Sequence, residues 1–169
     1  MADTTPGMQR FLVKSKLGIG RDFSVYDDEA ATHKVYFIDA KFGLGSTAEI
    51  NDADNNVIYK AKGRIINIPR RMEFLAPDGR NAGKVVAHFS PIKSRLTMTL
   101  ANGKTWELAG NLIEKNYQVK EGDKTIIDMN QKWLAVRDKY FVEIAQDVDI
   151  ALALGLIWTV DVWREGKGN

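Results

Sequence analysis

The most suggestive chemistry in this sequence lies in a set of basic residues. The set consists of Lys60, Lys62, Arg64, Arg70, Arg71, Lys93 and Arg95. The first three occupy alternate positions, so a β-strand would project them from one face, and the other four fall in the two corners that follow. If neighbouring strands bring these groups together outside the fold, they can bind phosphate oxygens. The alternative interpretation is that alternating lysines form the solvated face of an ordinary strand.

Residue types that perform catalysis or bind metals form no recognisable pattern. The acidic turn at 52–56 resembles the start of a calcium loop, but Val57 replaces the required glycine and Gly63 the required glutamate. His33 and His88 are far apart and lack a nearby carboxylate motif. The absence of cysteine excludes disulfides, thiolate metal sites and cysteine nucleophiles. We therefore predict no catalytic residue, no metal site and no cofactor, and we do not expect an enzyme.

The composition is that of an ordinary globular domain. The chain has 169 residues, of which 44% are hydrophobic and 27% are charged. One domain with its own hydrophobic core is therefore expected. The formal net charge of +2 is too small to indicate bulk nucleic-acid binding, so no nucleic-acid partner is predicted.

One apolar segment near the C-terminus predicts a buried helix. Residues 150–160 form an almost uninterrupted apolar run that Asp149 precedes. A membrane span needs about 20 such residues, so no transmembrane helix is predicted. A short helix that is apolar on every face should be covered by protein on all sides. We predict it over about residues 148–163, with Asp147 or Asp149 as its cap and Gly155 allowing a bulky wall side chain to approach.

The rest of the chain predicts strands and turns. Alternating polar and apolar residues indicate strands at 9–16, 22–27, 34–39, 47–51, 57–64, 72–75, 82–89, 96–100, 105–108, 117–119, 125–130 and 140–144. A weak repeat, at 16–20 and 41–45, divides them into two-stranded units. An antiparallel sheet of this size must curl or close. We therefore predict a mainly β fold, a closed antiparallel barrel of about twelve strands that encloses the hydrophobic C-terminal helix.

The ends of the chain carry no targeting pattern. Residues 1–7 are polar and contain neither a basic start nor an apolar stretch, so a cytoplasmic protein is expected. We predict a flexible N-terminus over residues 1–8, a single barrel domain over 9–163 and a flexible tail over 164–169.

Several segments resemble the LURP-one-related family. They are QRFLVKSKL at 9–17, DFSV at 22–25, KFGLG at 41–45, QKW at 131–133, YFVEIA at 140–145 and DVDIALAL at 147–154. The resemblance covers essentially residues 8–163. This family is similar to the C-terminal domain of tubby proteins and to phospholipid scramblases, which implies a twelve-stranded barrel around a hydrophobic helix. Tubby domains bind phosphoinositides and plant members of the family are tied to defence, so the resemblance implies a lipid-headgroup hypothesis at the level of the fold.

Three functional hypotheses follow. The first is a non-enzymatic binding module that recognises an anionic phospholipid headgroup or a phosphorylated ligand on a basic outer face, as a cytoplasmic protein that associates peripherally with membranes. The second is a scaffold that binds a protein partner in stress or defence signalling. The third, an enzyme at the barrel mouth, would require a deep polar pocket with paired carboxylates. Phospholipid scramblases are associated with palmitoyl groups carried by cysteine. This chain has no cysteine, so scramblase activity is not predicted.

Overall fold

The computed structural model describes residues 4–15, 22–41, 47–63, 70–89, 94–112, 116–130 and 139–165. These residues form twelve β-strands followed by one α-helix. The elements are β1 (Met8–Ser15), β2 (Phe23–Tyr26), β3 (Lys34–Lys41), β4 (Thr47–Asp52), β5 (Val57–Gly63), β6 (Arg70–Leu75), β7 (Asn81–Phe89), β8 (Ser94–Leu100), β9 (Thr105–Asn111), β10 (Asn116–Glu121), β11 (Lys124–Met129), β12 (Lys139–Ala145) and α1 (Ile150–Glu165).

The strands form one closed antiparallel barrel. Each strand pairs with its neighbours in sequence, and β12 pairs with β1 to close the sheet. The closing register runs from Met8 opposite Ala145 to Lys14 opposite Lys139. The predicted fold class is therefore confirmed. Among the described strands, closure leaves no sheet edge unpaired, which removes the aggregation risk of an exposed edge.

The two-residue period of the strands separates an apolar interior from a mixed outer wall. In β1, Phe11 and Val13 are buried inside the barrel, whereas Lys14 lies on the outside and remains partly exposed. The same alternation directs one large side chain after another towards the interior. Examples are Phe23, Ile38, Ile50, Phe74, Val85 and Met98, all fully buried.

The helix α1 fills the interior of the barrel. Every residue from 151 to 161 is buried, which is the all-round burial that the apolar run predicts. The buried hydroxyl of Thr159 donates a hydrogen bond to the carbonyl of Gly155 at 2.8 Å, so it is satisfied within the helix. No helix in the described part of the chain is both long enough and apolar enough to cross a membrane.

Both ends of α1 are hydrogen-bonded to the barrel wall or to the cap residue. Asp149 caps the N-terminus, because its Oδ1 accepts a hydrogen bond from the amide of Leu152 at 3.1 Å. Its Oδ2 accepts a second from the hydroxyl of Tyr59 at 2.6 Å. Burial, followed by this hydrogen bond, raises the pKa of Tyr59 well above its ordinary value. At the C-terminus, Arg70 donates from Nη1 to the carbonyl of Trp163 at 3.2 Å.

The segment before β1 lies against the outer wall. The amide and hydroxyl of Thr5 donate to the carboxylate of Glu143 at 3.0 and 2.9 Å, and the amide of Gln146 donates to the carbonyl of Gly7 at 3.0 Å. These hydrogen bonds join residues 5 and 7 to β12 and to the residue that follows it. At the other end, α1 continues to Glu165, two residues into the predicted tail.

Candidate functional site

The exposed members of the predicted basic set lie on the outer wall between β5 and β8. Lys60 and Lys62 project outward from β5, Arg71 from β6 and Arg95 from β8. Arg64 and Lys93 lie outside the described residues, as do 16–20, 42–45 and 131–133 of the segments discussed above. The structure therefore brings together only part of the set.

Carboxylates separate the lysines of this wall. Lys60 lies directly opposite Glu49 of β4, and Lys62 lies opposite Glu73 of β6. On the next strand, Lys84 lies opposite the same Glu73. Opposite charges at facing positions stabilise neighbouring strands and cancel each other's field. This arrangement favours the alternative interpretation, in which the lysines of β5 form an ordinary solvated face.

Arg70 has a different role from the one that the sequence suggests. Because β6 begins at Arg70, strand alternation places Arg70 and Arg71 on opposite faces of the wall. Arg71 is exposed, whereas Arg70 is partly buried and binds the carbonyl of Trp163 at the end of α1. A cation at a helix C-terminus is favourable for the helix dipole. Arg70 therefore contacts the core helix instead of joining an external cluster.

A second part of the outer wall combines cations with aromatic side chains. It spans β12, β1, β2 and β3, and its side chains form two rows across the four strands. The first row is Phe141, Leu12, Tyr26 and Lys34, and the second is Lys139, Lys14, Ser24 and Phe37. We call these eight residues the cation–aromatic face.

Two of the three lysines of this face lie over its aromatic rings. The Nζ atom of Lys14 is 5.2 Å from the centroid of the Tyr26 ring. The Nζ atom of Lys34 is 6.0 Å from the Tyr26 centroid and 5.2 Å from that of Phe37. These distances are within the range of cation–π attraction. The rings therefore orient the ammonium groups without neutralising their charge.

The lysines of this face have no carboxylate partner among the described residues. In the part of the chain that the structure describes, no ion pair joins Lys14, Lys34 or Lys139 to an acidic side chain. Lys14 and Lys139 also face each other directly across β1 and β12, a pairing that repulsion disfavours. This face is therefore better suited to binding an anion than the wall between β5 and β8, where carboxylates face the lysines.

A small cavity lies at the edge of the face, beside Lys14 and Lys139. It has a volume of about 210 Å³, and its lining consists of Leu12, Lys14, Glu29, Ala30, Ala31, Lys139 and Phe141. Three of these residues, Glu29, Ala30 and Ala31, belong to the turn between β2 and β3. Asp28 supports this turn by accepting hydrogen bonds from the amides of Thr32 and His33 at 3.0 Å and from the Thr32 hydroxyl. These bonds, that of the hydroxyl first, lower the pKa of Asp28 to about 2.

A pair of carboxylates occurs on the outer wall near the N-terminal segment. Asp128 of β11 lies directly opposite Glu143 of β12, at a groove of about 500 Å³. Glu143 is fully buried and accepts hydrogen bonds from Thr5 and, at 3.3 Å, from Nη2 of Arg10. Its oxygens are thus engaged in holding the segment before β1. The pair lies on the outer face of β11 and β12.

Sequence comparison assigns the chain to a family. A family model described as LURP-one-related matches residues 9–161, from the second residue of β1 to the last fully buried turn of α1. The chain belongs to the LURP-one-related family. A relative, the uncharacterized protein YxjI of Bacillus subtilis (strain 168), is 24% identical over 157 residues, which is 92% of this chain and 93% of the relative.

The match to the LURP-one-related family includes the whole cation–aromatic face. All eight of its residues lie between positions 12 and 141, inside the matched range. Sequence reasoning missed this face because its residues come from four strands at both ends of the chain. A signal was present, since Tyr26, Phe37 and Phe141 occupy outward positions of their strands, where polar residues are expected.

Proposed function

We propose that this LURP-one-related protein is a non-enzymatic binding module that recognises the headgroups of an anionic lipid surface through its cation–aromatic face. The observation that supports the proposal is the two-row arrangement of three lysines and three aromatic rings, in which no lysine has a carboxylate partner among the described residues. Each lysine near an anionic membrane contributes about 1 kcal/mol of attraction. Aromatic rings favour the same depth, where headgroups meet hydrocarbon.

The barrel supports peripheral rather than integral binding. Moving α1 out of the barrel would expose large apolar side chains at about 1.5 to 3 kcal/mol each, so the helix remains inside. Contact with lipid is then left to side chains of the outer wall. The closed barrel around a C-terminal helix is also the architecture that the resemblance to tubby domains implies. The proposal places the protein in the cytoplasm and at membrane surfaces, and it includes no scramblase activity.

Vesicle co-sedimentation at two salt concentrations tests this proposal. The protein should bind vesicles of phosphatidylcholine with phosphatidylserine, but not phosphatidylcholine alone, and binding should weaken as salt screens the charges. Lys14→Glu, Lys34→Glu and Lys139→Glu should each weaken binding at least about fivefold, the effect of removing one lysine from an anionic surface. Thermal unfolding should confirm that these exposed substitutions leave the fold intact.

Matched controls come from the wall between β5 and β8. Lys60→Glu, Lys62→Glu and Arg71→Glu make the same change of charge on exposed strand positions. These variants should bind the vesicles almost as the parent does. If they abolish binding while the variants of the cation–aromatic face do not, the proposed surface is wrong. If no anionic vesicle is bound at all, the proposed function is wrong.

The aromatic side chains of the same face favour one second candidate, the protein-interaction scaffold. Tyrosine and phenylalanine are enriched where proteins contact each other. This function predicts a partner that stays bound at high salt and is released by Phe37→Ser or Phe141→Ser, together with an absence of vesicle binding. Salt-sensitive vesicle binding that Lys14→Glu weakens would favour the lipid surface instead.

A further inference from the structure

We propose that Lys14, Lys139 and the cavity beside them form a binding site for one phosphate monoester, carried by a lipid whose headgroup ends in that phosphate. The inference rests on the proposed function and makes it more specific, since it distinguishes one headgroup chemistry from negative charge in general. We call these two residues with their cavity the lysine-pair site.

The position of the two lysines suits them to bind one anion together. Lys14 and Lys139 occupy directly facing positions on β1 and β12, where Cβ atoms lie about 4.5 to 5.5 Å apart. Both side chains project from the outer wall, and in the described residues neither forms an ion pair. An anion between them would turn the repulsion of the two lysines into a pair of attractive contacts.

The size of the cavity limits its ligand to a small group. At about 210 Å³ it is smaller than the roughly 300 to 1,000 Å³ of pockets that enclose a drug-sized ligand. It can therefore hold a small group but not a large headgroup. Leu12 and Phe141 contribute apolar side chains to its lining, and residues 29–31 line it as well. Because Asp28 supports that turn with several hydrogen bonds, the wall of the cavity is held in place before a ligand binds.

The charge and the terminal oxygens of a phosphate monoester match the two lysines of the site. A phosphate monoester carries a charge of about −1.5 to −2 at pH 7 and presents three terminal oxygens. It can accept charge-assisted hydrogen bonds from both ammonium groups at once. The phosphodiester of an ordinary headgroup carries a single negative charge and has only two such oxygens. Two facing lysines are therefore matched by the monoester and only partly by the diester.

Glu29 also lines the cavity. Its negative charge opposes every anion that enters, and no ion pair connects it to Lys14 or Lys139. Attraction by the two lysines and repulsion by Glu29 both grow with the charge of the anion, so Glu29 weakens the binding of a monoester more than that of a diester. Removing the charge of Glu29 should consequently strengthen binding, an effect that a merely structural role of the turn would not produce.

Vesicles that carry either phosphatidic acid or phosphatidylserine at matched surface charge provide the test. Phosphatidic acid ends in a phosphate monoester, whereas phosphatidylserine joins its phosphate in a diester. The parent protein should bind the phosphatidic acid vesicles about tenfold more tightly, the gain expected from one additional charge-assisted hydrogen bond. Lys14→Gln and Lys139→Gln should each remove this preference, while Glu29→Gln should increase it.

Lys34→Gln is the matched control, because Lys34 belongs to the same face but lies outside the cavity. It should weaken binding to both vesicle types by the same factor. Equal binding of the two vesicle types by the parent, with Lys14→Gln no different from Lys34→Gln, would overturn the lysine-pair site and leave the proposed function intact. Failure to bind either vesicle type would instead overturn the proposed function.

Calorimetric titration with inorganic phosphate tests whether the site binds the phosphate of a lipid or that of a soluble monoester. Weak binding that disappears in Lys14→Gln and Lys139→Gln would support the site, because the same oxygens are recognised without the lipid. Phosphate that binds more tightly than the phosphatidic acid vesicles do would overturn the lipid as the source and point to a soluble monoester.

Discussion

Gly155 of α1 and Phe74 of β6 are so close that a β-carbon at position 155 would lie 2.5 Å from a carbon of the Phe74 ring. The same β-carbon would lie 2.9 Å from Cδ1 of Ile50 on β4. Both wall side chains are fully buried. The contact confirms the expectation that Gly155 allows a bulky wall side chain to approach, and it shows how closely the wall packs on the helix.

Replacing Gly155 with alanine should therefore destabilise the protein, although alanine favours a helix by about 0.5 to 1 kcal/mol over glycine. Overpacking of a dense core costs about 1 to 3 kcal/mol, which exceeds that gain. Urea unfolding should show the loss for Gly155→Ala. The double variant Gly155→Ala/Phe74→Leu should recover part of it, since the shorter side chain removes the clash. Additive effects of the two substitutions would contradict this account.

The barrel and its helix could be predicted because both follow from local patterns. Alternation around Phe11 and Val13 indicates a half-buried strand, and the apolar run at 150–160 is too short for a membrane and too apolar for a surface. Neither inference needs knowledge of which strands pair. The same patterns do not fix where each strand starts. The predicted strand begins at residue 72, whereas β6 begins at Arg70. That difference decides which face Arg70 occupies.

The cation–aromatic face could not be predicted in the same way, because it depends on strand register and closure. Lys14 faces Lys139 only because β1 and β12 pair at the seam of the barrel. Lys34 reaches Tyr26 where the register of β2 and β3 shifts, between Val25 and Tyr26. Neither property is encoded in a short segment. Proximity in sequence instead favours Lys60 and Lys62, which lie opposite the carboxylates of Glu49 and Glu73.

The hydrogen bond from Tyr59 to Asp149 should stabilise the start of α1. Its length is 2.6 Å, and the same carboxylate caps the helix through Leu152. Tyr59→Phe removes only this bond and should lower the free energy of unfolding by about 1 kcal/mol. Asp149→Ala removes both bonds and should cost more, about 2 kcal/mol. Tyr26→Phe, which removes a hydroxyl from the outer wall, is the control in thermal unfolding. An equal effect of the two tyrosine substitutions would contradict the proposed contribution of Tyr59.

At neutral pH, the charged carboxylate of Asp128 should lower the stability of the protein relative to a variant with a neutral side chain at this position. Burial, followed by the charge of Glu143, raises the pKa of Asp128, although a hydrogen bond from Gln118 acts in the opposite direction. Since folding favours the protonated carboxyl, the stability that it contributes is present at low pH. That stability is lost as the pH rises through the folded-state pKa.

Asp128→Asn should therefore unfold at a higher temperature than the parent at pH 7, and the difference should shrink as the pH falls towards the ordinary carboxyl pKa of about 4. The gain should be below about 1 kcal/mol, because Asp128 is still partly solvated. Asparagine retains an oxygen that can accept the hydrogen bond from Gln118. Asp123→Asn, in an exposed turn, is the control for the change of net charge. A gain that stays constant from pH 4 to pH 7 would exclude titration of Asp128 as its cause.

Ala31 adopts a left-handed backbone conformation in the turn that forms the outer wall of the lysine-pair site. Its φ angle is 56°, a value that costs about 1 kcal/mol for a residue with a β-carbon and almost nothing for glycine. Ala31→Gly should raise the free energy of unfolding by up to about 0.5 kcal/mol, because the strain that it relieves exceeds the extra backbone entropy that glycine loses on folding. The carboxylate of Asp28 and its hydrogen bonds to Thr32 and His33 are unaffected by the substitution.

The same substitution separates the stability of the turn from its part in binding. If the hydrogen bonds of Asp28 hold the turn, Ala31→Gly should be more stable in urea unfolding and should bind phosphatidic acid vesicles as the parent does. Ala30→Gly is the matched control, since it removes a methyl group from the same cavity at a position without a left-handed backbone. It should lower stability slightly, because glycine loses more backbone entropy on folding. A loss of stability in both variants would show that the conformation of Ala31 carries no strain.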